Sequence, residues 1–354
     1  MVKQRIAYID FLKGFTILLV ILGHCIQFND RDYWNNIVFR YIYSFHMPLF
    51  MFLSGYVSYK AVLLSSTIKK RAIQLLIPFF VWPVLSQVLG GHTIDLSVYA
   101  NIIKNPENGL WFLWSLFFIT VVLYLFDYIS RIIRFKQEYM VLLGILLLYG
   151  IGNCIEKRLA NNDCGLNVTA YHMIFYMQGF YTKKYQQLLI LFLRKWLSVF
   201  CVTFVVSAFF WKRHEAPAFL PSQFNIHIVN VLYRLLVATV GIFMFYGLAQ
   251  RYIGMKNSKV WVNIINKIGK KTLGIYCIQF TTISWSKILF SSSNLFLQVS
   301  VCFVLATIMS VFLEWLFSQN KFTALLLVGK NKFKGKEMDN PLISIIVPIY
   351  KVEK

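Results

Sequence analysis

The chain predicts an all-α polytopic membrane protein with about ten transmembrane helices and both termini cytoplasmic. Three observations carry that expectation. Of 354 residues, 58% are hydrophobic, and the mean hydropathy is +0.60. The apolar residues come in long runs rather than in the stripes of water-facing helices. The basic residues fall mostly in alternate short connections between those runs, as the positive-inside rule requires. Aromatic residues make up 18% of the chain, which suits interfacial Trp and Tyr belts and Phe-rich lipid-facing surfaces.

Taken in order, the spans fall near residues 7–28, 37–63, 72–90, 110–130, 138–154, 168–182, 196–211, 227–250, 269–289 and 295–317. The first is followed by further spans, so it reads as a retained helix and not as a cleaved leader. Inner connections then carry Lys69-Lys70-Arg71; Arg131, Arg134 and Lys136; Lys183, Lys184, Arg194 and Lys195; and Arg251 through Lys271. The outer ones hold most of the acids, Asp30, Asp32, Asp95, Glu107, Glu156, Asp163 and Glu215. The formal charge of +22 is thus a topology signal, and no nucleic-acid partner is expected. The six cysteines show no metal-ligand spacing, and no metal site is expected. Cys154 and Cys164 flank a predicted outer loop, where the sequence leaves a disulfide open.

Three stretches divide the chain: a membrane domain over 1–320, a basic cytoplasmic linker over 321–337, and a different segment over 338–354. In the last, Leu342-Ile343-Ser344-Ile345-Ile346-Val347-Pro348 reads as a short buried strand ended by proline. It resembles the opening strand of family-2 glycosyltransferases. It is too short to fold alone, and it suggests a setting in polysaccharide assembly beside a glycosyltransferase.

The candidate chemistry begins with His24 and Lys13 in the first span. Eleven residue steps along a helix separate them by roughly 16 Å, about half the hydrocarbon thickness. Ionisable groups at such depth are costly and mark functional candidates. An imidazole titrates near neutrality and can act as a general base toward a hydroxyl; a histidine bonded between helices is the structural alternative. Lys13 could hold an anion or snorkel to lipid headgroups, and Asp10, one turn earlier, can pair with it. The second span adds His46, Pro48 and Ser54-Gly55, the last pair suited to close helix packing. Arg40 and Arg234 lie near predicted outer helix ends, placed either to snorkel or to bind a polar acceptor. The run Lys69-Lys70-Arg71 could grip phosphates or simply set topology.

These segments together resemble the acyltransferase-3 family of integral membrane acyltransferases, especially its sugar O-acetyltransferase members. The matching features are Asp10-Phe11-Leu12-Lys13-Gly14, the Lys13–His24 spacing, Phe45-His46-Met47-Pro48-Leu49-Phe50, and the Ser54-Gly55 pair. Further matches are the basic run before Pro78, Leu110-Trp111-Phe112-Leu113, and Ile268-Gly269-Lys270-Lys271-Thr272-Leu273-Gly274-Ile275-Tyr276. They occur in the family's order over most of residues 5–320. Two departures stand out: Lys13 where arginine is common, and Gln279 where many members carry histidine. The resemblance implies transfer of an acetyl or other short acyl group from cytoplasmic acyl-CoA, a donor substrate and not a resident cofactor. The acceptor would be a hydroxyl of a surface polysaccharide or lipid-linked sugar. It implies His24 and His46 as catalytic residues, and Lys13, Lys69, Lys70 and Arg71 as contacts to the acyl-CoA phosphates. Arg40, Arg234 and Trp111 would bind the acceptor. The chain would then sit as a multi-pass protein in a bacterial inner (cytoplasmic) membrane. A transporter or exporter of a polar or glycan-linked solute is the alternative class, but no matched pair of interrupted helices supports it.

Overall fold

A computed structural model of the chain describes residues 6–59, 65–91, 93–158, 162–213, 215, 217, 219–220, 227–253 and 259–332. The described residues are all-α. Thirteen helices follow in order: α1 (Ala7–Asn29), α2 (Ile37–Ser58), α3 (Ser65–Leu89), α4 (Ser97–Lys104), α5 (Trp111–Ile132), α6 (Gln137–Arg158), α7 (Leu166–Lys184), α8 (Gln186–Phe209), α9 (His227–Tyr252), α10 (Val260–Gly269), α11 (Thr272–Leu289), α12 (Leu295–Phe317) and α13 (Lys321–Val328). The strand expected within 338–354 lies outside the described residues.

Eight of the described helices, α1, α2, α3, α5, α6, α8, α9 and α12, are long and apolar enough to cross a membrane. The chain is therefore a polytopic membrane protein with about eight such spans where ten were expected. The other two expected spans exist as helices but are too polar to qualify. α7 has 19 residues and buries Thr169, His172 and Thr182. α11 has 18 and buries Gln279, Thr282 and Ser286. One hydroxyl of each pairs with a neighbouring helix: Thr169 Oγ1 donates to Ser115 Oγ at 3.1 Å, and the Thr282 and Ser310 hydroxyls are 2.7 Å apart. A helix covered on all sides by protein has no need of the hydropathy that lipid demands.

The helices form two compact units, one of Ser54–Lys184 with the described residues 317–332, the other of Ile6–Leu53 with Tyr185–Leu316. In the first, α3 packs on α5 and α13, and α6 and α7 close on α5 and on each other. Trp82 donates its indole N–H to the Leu327 carbonyl at 2.9 Å, tying α13 to α3. Gly55 lies against the backbone of Tyr176 on α7, where a Cβ would come 1.8 Å from the carbonyl oxygen. The packing role expected for Ser54-Gly55 is the one observed.

In the second unit α1 is central, packed on α9, α10 and α11, with α8 and α9 paired beside it. Of their apolar windows, 61% of α1 and 72% of α2 are buried, against 17% for α8 and 22% for α12. Among the eight apolar spans, α1 and α2, which carry His24 and His46, are thus the most enclosed, and the outward faces of α8 and α12 are left for lipid. The contact of α1 with α10 is made by glycine on both sides. A Cβ on Gly14 would sit 2.1 Å from the Ile265 carbonyl oxygen, and one on Gly269 would sit 1.8 Å from that of Asp10. The motifs Asp10–Gly14 and Ile268–Tyr276, far apart in sequence, therefore form one helix crossing.

Candidate functional site

His24 is half-buried in the last turns of α1. Its Nδ1 lies 3.0 Å from Gln27 Oε1, one turn further on. The hydroxyl of Tyr43 on α2 stands 3.3 Å from the same nitrogen and donates to Gln27 Oε1 at 3.2 Å. Two rings enclose the imidazole: Phe280 of α11 at 4.6 Å and Tyr43, edge-on, at 6.3 Å between centroids. Gly23 makes room for this arrangement, because a Cβ there would come 2.8 Å from the Tyr43 ring.

His46 is held differently. It is buried, and its Nδ1–H donates to the Ile42 carbonyl of its own helix at 2.8 Å. A neutral imidazole so bound keeps only an acceptor at Nε2, so His46 could donate to an oxyanion from Nε2 only as imidazolium. Its ring lies 4.7 Å from that of Tyr43. Tyr43 therefore touches both histidines, a link with no signature in the sequence, since it arises only when α1 and α2 meet.

Near the start of α1, Lys13 is 4% exposed and pairs with Asp10 Oδ1 at 3.1 Å. The lysine is buried and does not snorkel. In the other unit the basic run divides. Lys69 is exposed, Lys70 is half-buried, and Arg71 turns inward, donating from Nη2 to Ser58 Oγ at 2.9 Å. Ser58 in turn donates to the Ser54 carbonyl at 2.6 Å, so Arg71 is attached to the end of the Ser54-Gly55 segment. Trp111 opens α5 and lies 4.7 Å from the His172 ring. His172, like His46, gives its Nδ1–H to its own helix, at the Val168 carbonyl, 2.8 Å away.

Arg40 serves the end of α8. Its Nε donates to the Trp211 carbonyl at 2.9 Å, and its Nη2 donates to that of Phe209. Tyr41 and Tyr233 take the neighbouring carbonyls of Val205 and Ser207, each at 2.7 Å. The last carbonyls of a helix have no partner within it and carry partial negative charge, so an arginine there is structurally useful. Arg234 contributes a weaker contact, Nη1 to the Arg213 carbonyl at 3.3 Å. Replacing Arg40 with alanine is expected to lower the melting temperature by several degrees with the KM values unchanged. A raised acceptor KM at an unchanged melting temperature would instead assign Arg40 to substrate.

A cavity of about 310 Å³ lies beside the same helices, lined by apolar side chains that include Phe15, Leu19, Leu22 and Phe45. His24 follows Leu22 by two residues, about 200° around the helix, so this cavity belongs to the opposite face of α1. All six cysteines are free in this structure, Cys154 and Cys164 among them.

A family profile described as an acyltransferase domain matches residues 6–318. Among curated proteins, nodulation protein NolL of Sinorhizobium fredii is 34% identical over 140 residues, covering 34% of this chain and 37% of that protein. NolL of Mesorhizobium japonicum is 36% identical over 120 residues, covering 30% and 32% respectively. The chain thus spans about a third of the length of these relatives. No solved structure matches it.

Proposed function

Since the chain belongs to the acyltransferase-3 family of membrane acyltransferases, whose profile covers residues 6–318, we propose that it is a membrane O-acetyltransferase. In this reading an acetyl or other short acyl group moves from cytoplasmic acyl-CoA to a hydroxyl of a surface polysaccharide or lipid-linked sugar. The observation that carries it is the setting of His24, a half-buried imidazole in the last turns of an apolar helix, held by side chains rather than by its own backbone. His24 takes the proton of the acceptor hydroxyl as its oxygen attacks the thioester carbonyl. The tetrahedral intermediate collapses with cleavage of the C–S bond, and the imidazolium returns its proton to the departing thiolate. His46, as imidazolium, would stabilise the oxyanion. Arg234 and Trp111 remain proposed acceptor contacts.

Lys13, Lys69, Lys70 and Arg71 are proposed to meet the acyl-CoA phosphates. The asymmetric distribution of Lys and Arg supports cytoplasmic termini, and the spans and the family support a bacterial inner membrane. Acceptor-dependent release of thiol from acetyl-CoA by the purified protein tests the reading; hydrolysis or transfer that ignores the glycan would contradict the acceptor class. Because Lys13 is paired with Asp10, its contribution is read from a double variant. Lys13→Ala is expected to raise the acyl-CoA KM about 5- to 50-fold, in line with one charge-assisted contact. The raised KM should persist in Lys13→Ala/Asp10→Asn. A KM restored by the second substitution would show that Lys13 only neutralises Asp10.

A further inference from the structure

We infer that Gln27 and Tyr43 are positioning residues that hold His24 in its Nδ1–H tautomer, leaving Nε2 as the atom that receives the acceptor's proton. This rests on the reading of His24 as the general base and deepens it by naming the reacting nitrogen and what selects it.

Three short contacts converge. Gln27 Oε1 lies 3.0 Å from Nδ1, the Tyr43 hydroxyl donates to that same oxygen at 3.2 Å, and it stands 3.3 Å from Nδ1. An amide oxygen only accepts, and it has two lone pairs. One takes the Tyr43 O–H, and the other requires a proton on Nδ1. An imidazole left to itself in water prefers the opposite, Nε2–H, form. That form would set the Nδ1 lone pair against the lone pairs of the amide oxygen. Both hydrogen bonds of the ring to described residues fall on Nδ1, and Phe280 and Tyr43 restrict its rotation.

The contrast with His46 and His172 sharpens the point. Each of those rings gives its Nδ1–H to the carbonyl four residues earlier in its own helix. The partners of His24 are two side chains, one from a different helix, so the tautomer depends on residues that can be exchanged without touching a backbone hydrogen bond. During transfer the acceptor O–H proton moves to Nε2, while Nδ1–H stays on Gln27 Oε1. On collapse of the intermediate the Nε2 proton passes to the thiolate sulfur. Gln27 is neutral, so it orients the base without adding a charge to the membrane interior.

The test is nitrogen NMR on full-length protein with labelled histidine in lipid nanodiscs, with the His24 signals assigned by their loss in His24→Ala. The native His24 should show a protonated Nδ1 and a bare, pyridine-like Nε2. Gln27→Met, which keeps length but accepts poorly, should shift His24 toward the Nε2–H form. It should also lower kcat about 10- to 100-fold, with the acyl-CoA KM unchanged. Gln27→Glu, which restores an acceptor, should recover the tautomer and most of kcat. If Gln27→Met does not fold, the native spectrum alone decides. A native His24 found as Nε2–H, as it would be were the amide to present its nitrogen, overturns the inference. So does a Gln27→Met protein with native tautomer and native kcat. Full transfer by His24→Ala with the native Nδ1–H signal in place would instead overturn the base reading beneath it.

Discussion

Gly269→Leu, and equally Gly14→Leu, is expected to yield no folded protein, and Gly269→Ala is expected to cost about 1–3 kcal/mol. A Cβ at Gly269 meets the Asp10 carbonyl oxygen at 1.8 Å and the Gly14 nitrogen at 3.0 Å. A Cβ at Gly14 meets the Ile265 carbonyl oxygen at 2.1 Å and the Gly269 nitrogen at 3.0 Å. All of these are backbone atoms, so no rotamer change can relieve the contact and α1 must move away from α10. That movement would also displace Asp10 and Lys13, which sit in the same turn. Gly150→Ala is the matched control. Nothing lies within 4 Å of its added Cβ, and in an exposed helical position alanine is the better residue by up to about 1 kcal/mol. Thermal unfolding in a fixed detergent should separate the two substitutions. Equal melting temperatures for Gly269→Ala and Gly150→Ala would show that the α1–α10 contact is not as close as described.

The sequence makes the class of fold plain because lipid imposes a coarse rule, and eight helices obey it. α7 and α11 show where that rule stops. Their hydropathy is depressed by Thr169, His172, Gln279 and Thr282, which are legible only as polar interruptions until the helices that bury them are in place. The motif glycines were legible as candidates for close packing, but that Gly14 and Gly269 pack on each other required the fold. Lys13 read from sequence as an anion site, a snorkelling lysine or a partner of Asp10; the structure shows the Asp10 pair, and burial removes the snorkelling reading. Arg40 has structural partners that its neighbourhood in the sequence does not announce. Its partners, the carbonyls of Phe209 and Trp211, lie about 170 residues away, and no local pattern announces them.

Gln27 did leave a trace. A glutamine three residues after a histidine in an apolar helix shares its face, and an uncompensated amide at that depth is expensive. Tyr43 left none, since it reaches His24 only through the crossing of α1 and α2. Family membership resolves the choice between an enzyme and a transporter, which composition and buried charge alone left open.

His24 carries the second large effect. Removing a general base from an acyl transfer of this kind should lower kcat about 10²- to 10⁴-fold. The donor KM should barely move, because no donor contact is assigned to the ring. The fold should survive, since the half-buried imidazole makes no backbone hydrogen bond and Tyr43 keeps its bond to Gln27. Acceptor-dependent release of thiol from acetyl-CoA, compared between the native protein and a His24→Ala protein of matched melting temperature, therefore tests the account most directly. The predicted result is loss of transfer at saturating donor with the acyl-CoA KM within about twofold of native. Transfer by His24→Ala within a few-fold of native would contradict it and remove His24 from the chemistry.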